Sequence, residues 1–171
     1  MFTESFQSEK EKQLHQLHDN NELLILPNIW NPLGAMLLED LGYKAVATAS
    51  ASIAFANGID DGEKISFDEL ISILKKIVKS VKIPVTADIE SGYAENNSVL
   101  KENIKRLVDT GIAGINFEDS HHDEKTLFSK EAQSEKINLI RKTASEKGSN
   151  LFINARTDVF IKQNHLSKKK K

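Results

Sequence analysis

The sequence contains no cysteine. Disulfides, thiolate metal sites and cysteine nucleophiles are therefore excluded. It has no excess of either charge: the formal net charge is −2. That balance gives no reason to expect nucleic acid or an anionic membrane surface as a partner. No apolar run approaches the roughly 20 residues of a membrane-spanning helix. The first residues, MFTESFQSEKEKQ, are acidic and polar, unlike a signal or transit peptide, so the cytoplasm is the expected compartment. No repeat of fixed period is present, and no strand is followed by a Gly-x-Gly-x-x-Gly turn, which removes the dinucleotide-binding fingerprint. What remains is 171 residues, 39% hydrophobic and 28% charged, enough for one domain with a substantial core.

Five short apolar runs stand out: LLILPN (23–28), KAVATA (44–49), PVTADI (84–89), AGINFE (113–118) and LFINAR (151–156). Their length and composition suit strands buried on both faces. Helix signals lie between them. Asn31-Pro32 pairs an N-cap with proline at the first helical position, and Gly42 ends that segment. Ser66-Phe-Asp-Glu69 is a capping box, followed at helical spacing by Phe67, Leu70, Ile71, Leu74, Ile77, Val78 and Val81. Ser98 opens a third helix with Leu100, Ile104, Leu107 and Val108 on one face, closed by Gly111. A fourth runs from about Ser129 to Lys147 and stops at Gly148. Residues 6–19 add a helix before the first strand, with Leu14 and Leu17 on its apolar side. Strict alternation of strand and helix implies parallel strands with right-handed crossovers. A doubly wound sheet and the first five units of a (β/α)₈ barrel both satisfy it. The terminal KQNHLSKKKK is basic and of low complexity, and residues 163–171 are expected to form a disordered tail after a domain at 1–162.

In either architecture function collects at the carboxyl ends of the strands. The first run leads to Trp30, the second to Ser50-Ala51-Ser52, the third ends in Asp88 and Glu90, the fourth in Glu118-Asp119, and the fifth in Arg156-Thr-Asp158. Neighbouring strands thus bring acids to one rim, and the next brings an arginine. Clustered carboxylates are compatible only if a cation sits among them or one is protonated. A hard divalent ion such as Mg²⁺ needs few direct carboxylates and keeps several waters. Beside an arginine it would form a receptor for a small dianion such as a 2-oxo acid.

Plainer readings compete with each of these. A lone strand-end Asp commonly serves turn chemistry. Arg156 can form an ion pair with Asp158 or Glu118 that is purely structural. Asp60-Asp61-Gly62 reads first as a turn, Ser50 and Ser52 as small residues that let strands pack, and Trp30 as core. His121-His122 is a loop pair whose rings point apart, with no third metal partner. His15 and His18 read as surface positions on the leading helix.

The segments ILPNIWNPLGAMLLEDLGYKAVATASASIA, the D-D-G-E turn, PVTADIESGYA, GINFEDS and FINARTDVF together resemble the isocitrate lyase / phosphoenolpyruvate mutase superfamily, nearest its mutase-like branch. The similarity covers about residues 15–162, with five motifs in the right order at strand ends. It implies a (β/α)₈ barrel, Mg²⁺ (or Mn²⁺) as cofactor, and a 2-oxo acid or its enolate as the reacting species. Members make or break C–C or C–P bonds next to that carbonyl, as lyases, isomerases, hydrolases or decarboxylases. On this resemblance Asp88 matches the direct metal ligand. Glu90 and Glu118 match acids that hold the metal largely through its waters. Asp61 matches a catalytic acid in the loop after strand two. Ser50-Ala51 matches the segment that binds the substrate carboxylate, Trp30 an aromatic lining the pocket, and Arg156 an arginine on the substrate's anionic end.

This sequence departs from the pattern in four places. The lyases carry a Lys-Lys-Cys-Gly-type loop after strand four whose cysteine is the acid/base; here the loop is SHHDEKTLFSKEAQ. The characteristic Lys and Asn of the mutase loop have no clear counterpart in it. The usual Gly-Tyr-Gly is Gly92-Tyr93-Ala94. A full barrel takes about 200 residues or more, and the motifs stop after the fifth run. The expectation is an incomplete barrel, with an inactive remnant of such an enzyme as the alternative. Its partners would be a small 2-oxo acid or dicarboxylate, and either further copies of itself or a missing C-terminal part.

Overall fold

Both features of the expected capping box are formed. In the computed structural model, which describes residues 4–121 and 126–161, Ser66 Oγ accepts from the Glu69 N–H while the Glu69 carboxylate accepts from the Ser66 N–H. The helix it starts, Phe67–Ser80, buries Leu70, Ile71, Leu74, Ile77 and Val78 along one stripe. Full burial of each such side chain contributes about 1.5–3 kcal/mol.

The elements follow in the order α1 (Glu4–Asp19), β1 (Asn28–Ile29), α2 (Pro32–Asp40), β2 (Val46–Thr48), α3 (Ser50–Ala56), α4 (Phe67–Ser80), β3 (Val85–Asp88), α5 (Asn97–Val108), β4 (Gly114–Glu118), α6 (Lys130–Glu146) and β5 (Phe152–Arg156). The five strands form one parallel sheet in the order β1-β2-β3-β4-β5. A doubly wound sheet reverses its strand order at a switch point; here each strand pairs with the next in sequence and no reversal occurs. That order is the arc of an incomplete (β/α)₈ barrel.

The core lies between this arc and helices α4, α5 and α6. β3 is buried at every position, and Phe117, Ile115, Ile104 and Ile140 are fully buried around it. A smaller cluster closes the amino ends of the strands, where Leu14 of α1 packs on Ala45, Ala113 and Phe152. Lys10 and Glu11 tie the helix down: Lys10 Nζ donates to the Val81 carbonyl at 2.9 Å, and Glu11 Oε2 accepts from the Asn150 N–H at 2.9 Å.

Several expectations are corrected. The first apolar run yields a strand of only two residues, because Leu23 and Ile25 lead toward the sheet exposed. Strand β5 is half-exposed rather than buried on both faces. Its outer edge and that of β1 have no strand partner among the described residues. Ser50–Ala56 is a helix, not the end of strand two. The α5 cap is Asn96, whose side chain accepts from the Ser98 and Val99 N–H groups. His15 is half-buried, its ring edge on Phe152 and Nε2 3.0 Å from the Asn150 carbonyl, whereas His18 is exposed, as expected, and stacks on the same phenylalanine. No helix among the described residues is long and apolar enough to cross a membrane. The expected tail at 163–171 and His122 lie outside the described residues.

Candidate active site

Asp88 is the last residue of β3 and pairs in register with Asn116 of β4. Its own N–H donates to Thr48 Oγ1 at 2.9 Å. Oδ2 accepts from Ser50 Oγ at 3.0 Å and from the Ser50 N–H at 3.3 Å, while Oδ1 accepts from Asn116 Nδ2 at 3.3 Å. Asn154 in turn donates to Asn116 Oδ1 at 2.7 Å. The first residue of α3 and a side chain of β4, itself braced from β5, therefore fix this carboxylate.

Glu90 is placed differently from the sequence expectation. The strand ends at Asp88, and Glu90 stands beyond it with φ at +49°, so strand pleat does not set its direction. Its two oxygens accept from the Glu63 N–H, each at 3.0 Å, and from the Tyr93 hydroxyl at 3.1 Å. Glu118 closes β4 and faces Arg156 across the register. Nη1 of Arg156 lies 3.1 Å from Glu118 Oε2, and its Nε and Nη2 form a fork on Asp158 at 2.7 and 3.1 Å. Asp158 is itself held by Ser120 Oγ at 2.8 Å.

Asp88, Glu90 and Glu118 are each no more than 9% exposed. Burial pushes Glu90 up to about 7; the Glu63 N–H opposes this, and the charges of Asp61 and Glu63 add to it. Burial likewise pushes Glu118 up to about 7, against Arg156 and with the help of Asp158, Asp88 and Glu90. Burial lowers the proton affinity of Arg156, but Asp158 and Glu118 outweigh it and the net direction is upward. Glu118 thus feels the charges of both Asp88 and Glu90, and burial favours the protonated forms of Glu90 and Glu118 in the absence of a cation.

Among the described residues no three acidic or histidine side chains form a metal cage by themselves. Mg²⁺ does not require one, since it takes one or two carboxylates and keeps its waters. An all-oxygen donor set of buried, mutually repelling acids suits that ion. A cavity of about 350 Å³ opens on the inner face of the arc, lined by Asn28, Thr48, Asp88, Asn116, Asn154 and Arg156. A larger one, about 590 Å³, lies behind Glu63 and Tyr93 and does not reach Asp88 or Arg156. Of the three acids, Asp88 lines the smaller cavity, together with Arg156.

The structure brings Ser50, Asp88, Glu90, Glu118 and Arg156 together. Asp61 is exposed at the rim, close enough for its charge to act on Glu90. Ala51 is half-buried in the first turn of α3. Trp30 is exposed rather than core, and among the described residues no hydrogen bond or ring contact joins it to the acids. His121 packs on Phe128, away from the acid cluster. Sequence reasoning missed Glu63 and Asn116. Asp158 was noted only as a possible partner of Arg156. The D-D-G-E turn held the signal for Glu63, but its role runs through backbone groups that no spacing rule reports.

The phosphoenolpyruvate phosphomutase family model matches residues 14–170. The chain belongs to that family. It is 28% identical over 131 residues to 2-methylisocitrate lyase of Aeropyrum pernix, covering 72% of this chain and 42% of that protein. It is 28% identical over 110 residues to phosphoenolpyruvate phosphomutase of Tetrahymena pyriformis, covering 64% and 36%. The chain therefore spans half or less of the length of these two curated relatives. Among solved structures, a phosphonomutase candidate from Burkholderia cenocepacia J2315 superimposes with a TM-score of 0.86 at 37% identity, over 90% of this chain and 62% of that one. Phosphonopyruvate hydrolase, solved with oxalate and Mg²⁺, shares the fold with a TM-score of 0.83 at 21% identity, over 90% and 54%.

Proposed function

We propose that this chain carries the metal- and carboxylate-binding half of a Mg²⁺-dependent enzyme. The enzyme acts on a small 2-oxo acid through its enolate, making or breaking a C–C or C–P bond. The observation that carries the reading is the buried meeting of Asp88, Glu90 and Glu118 with Arg156 at the carboxyl ends of β3, β4 and β5. Asp88 would hold the ion directly, and Glu90 and Glu118 through its waters. The bound ion would supply Lewis-acid polarisation of the substrate carbonyl. Arg156, fixed by Asp158 and Glu118 yet about one-third exposed, presents the remaining part of its guanidinium to the substrate's anionic end. Ser50 orients Asp88 through the hydrogen bond it donates, and with Ala51 lies where the substrate carboxylate would dock. Asp61 stands at the rim as the acid that exchanges a proton with substrate, and Trp30 as an outer wall.

A second reading, metal binding without turnover, is favoured by the open inner face of the arc: described residues form no wall beyond β1 and β5. Water entering there would weaken each electrostatic contact. The test is turnover of phosphonopyruvate and oxaloacetate with Mg²⁺, then with excess chelator. Metal-dependent release of phosphate or oxalate supports the enzyme. Metal binding with no turnover supports the second reading, and neither binding nor turnover sinks both.

A further inference from the structure

Three residues other than glycine hold a left-handed backbone among the described residues: Glu63 (φ +54°), Glu90 (φ +49°) and Tyr93 (φ +54°). They belong to two loops 27 residues apart in sequence, yet they form one hydrogen-bonded ring. The Glu63 N–H donates to both oxygens of Glu90, at 3.0 Å each. In return Glu63 Oε1 accepts from the Ser91 N–H at 3.0 Å, the Ser91 hydroxyl at 2.8 Å and the Tyr93 N–H at 3.0 Å. The Tyr93 hydroxyl then closes on Glu90 Oε1. The backbone of residue 63 thus grips the side chain of Glu90, while its side chain grips the backbone on the far side of Glu90. Left-handed backbone at such residues persists only where the surroundings over-determine it, and it concentrates at functional sites.

We infer that Glu63 is a positioning residue: it clamps the loop after α3 to the loop after β3 and so holds the Glu90 carboxylate at the acid cluster. This rests on the metal reading above. Glu90 lies past the end of its strand with φ at +49°; its carbonyl still accepts from the Glu118 N–H at 2.9 Å, which holds its backbone on β4, while the clamp orients its carboxylate. The same contact fixes the turn that carries Asp61, two residues before Glu63. A carboxylate that holds an ion through water must be well oriented, because each water it positions accepts only a narrow range of geometry.

The experiment is a calorimetric titration of Mn²⁺ into the full chain at low temperature. Wild type is compared with Glu63→Ala, Glu63→Gln and Asp88→Asn, and metal-free melting temperatures are recorded in parallel. Loss of a ligand's supporting partner weakens metal by about 10–100-fold, and Glu63→Ala should fall in that range. Glu63→Gln keeps an acceptor oxygen and the N–H, and should stay within roughly threefold of wild type, since only the charge-assisted share of the bonds is lost. A Glu63→Ala variant with a lower melting temperature but wild-type Mn²⁺ affinity would show a merely structural role and overturn the inference alone. If Glu63→Ala does not fold, Glu63→Asp, which keeps the charge but shortens the reach to the Ser91 and Tyr93 N–H groups, takes its place: weakened Mn²⁺ binding supports the inference, and wild-type affinity overturns it. Wild-type chain that binds no Mn²⁺ would overturn the metal reading and this inference with it.

Discussion

Glu118 and Arg156 face each other across the parallel register of β4 and β5, with Nη1 3.1 Å from Oε2. The same guanidinium forks onto Asp158, which is only 5% exposed. Arg156 is thus a structural ion-pair partner of both acids, with about one-third of its side chain still exposed. Arg156→Lys keeps the charge and loses the fork. It should weaken oxalate binding and also cost stability. A hydrogen bond to a charged group contributes about 1.5–3 kcal/mol, and partial exposure of Arg156 places the loss at the lower end. Calorimetry with oxalate and a melting curve check both parts; unchanged oxalate affinity would remove the anchor role.

Glu90 and Glu118 are both pushed up to about 7 by burial, above the ordinary value near 4.3 of an unfolded chain. The native state therefore binds protons that the unfolded state has released. The stability these groups contribute is fully present below the unfolded value and is lost as pH rises through about 7. Metal-free protein should melt lower at pH 8 than at pH 5.5. Metal needs the ionised acids, so the stabilisation given by saturating Mg²⁺ should grow over the same interval. Melting curves with chelator and with Mg²⁺ measure both. A Mg²⁺ effect that is constant with pH would contradict the assigned roles.

Gly92 sits two residues after Glu90 with φ at +103°. A Cβ there would lie 2.6 Å from Leu100 Cδ1 and 3.2 Å from Phe117 Cε2. Both neighbours are buried, so either can move aside only by displacing the close-packed core around it. Gly92→Ala should destabilise by about 1–3 kcal/mol through overpacking and strain. At Gly148, where φ is +75° and the space is open, the same change carries strain alone and should cost less. Denaturant melts of the two variants decide it, and equal losses would show that the packing around Gly92 is softer than drawn.

The chain has no cysteine, and the side chains around Asp88 offer no thiol to serve as acid/base. Purified protein with Mg²⁺ and isocitrate or 2-methylisocitrate should release no product above the rate of a metal-free blank. Succinate formed at an ordinary enzymatic rate would show that another residue replaces the thiol.

The sequence made some of this legible and concealed the rest for physical reasons. The Asn31-Pro32 start, the Ser66 capping box and the strand-end acids announce themselves because each is local: a side chain satisfies backbone groups within one turn, or a buried run ends in charge. Helix α3 was missed because its N-cap is Ala49, with no side-chain hydrogen bond to mark it. The first strand was overextended because LLILP is apolar enough for a core, yet Leu23 and Ile25 are exposed. Asp88 was legible as a candidate site residue, but its orientation by Ser50 of α3 and Asn116 of β4 depends on elements far apart in sequence. Glu63 was the hardest to see, since half of its role belongs to its N–H, which every residue but proline possesses.

The central claim is that Asp88 is the residue through which the chain holds a divalent cation. The direct measurement is a calorimetric titration of Mn²⁺ into wild type, Asp88→Asn and, as a control, Asp109→Asn, an exposed cap of α5 paired with Lys147. The account predicts one ion per chain for wild type and for Asp109→Asn. It predicts a loss of more than about 100-fold for Asp88→Asn, beyond the range seen when only a ligand's supporting partner is removed. Equal affinities for the Asp88→Asn and Asp109→Asn proteins would contradict it.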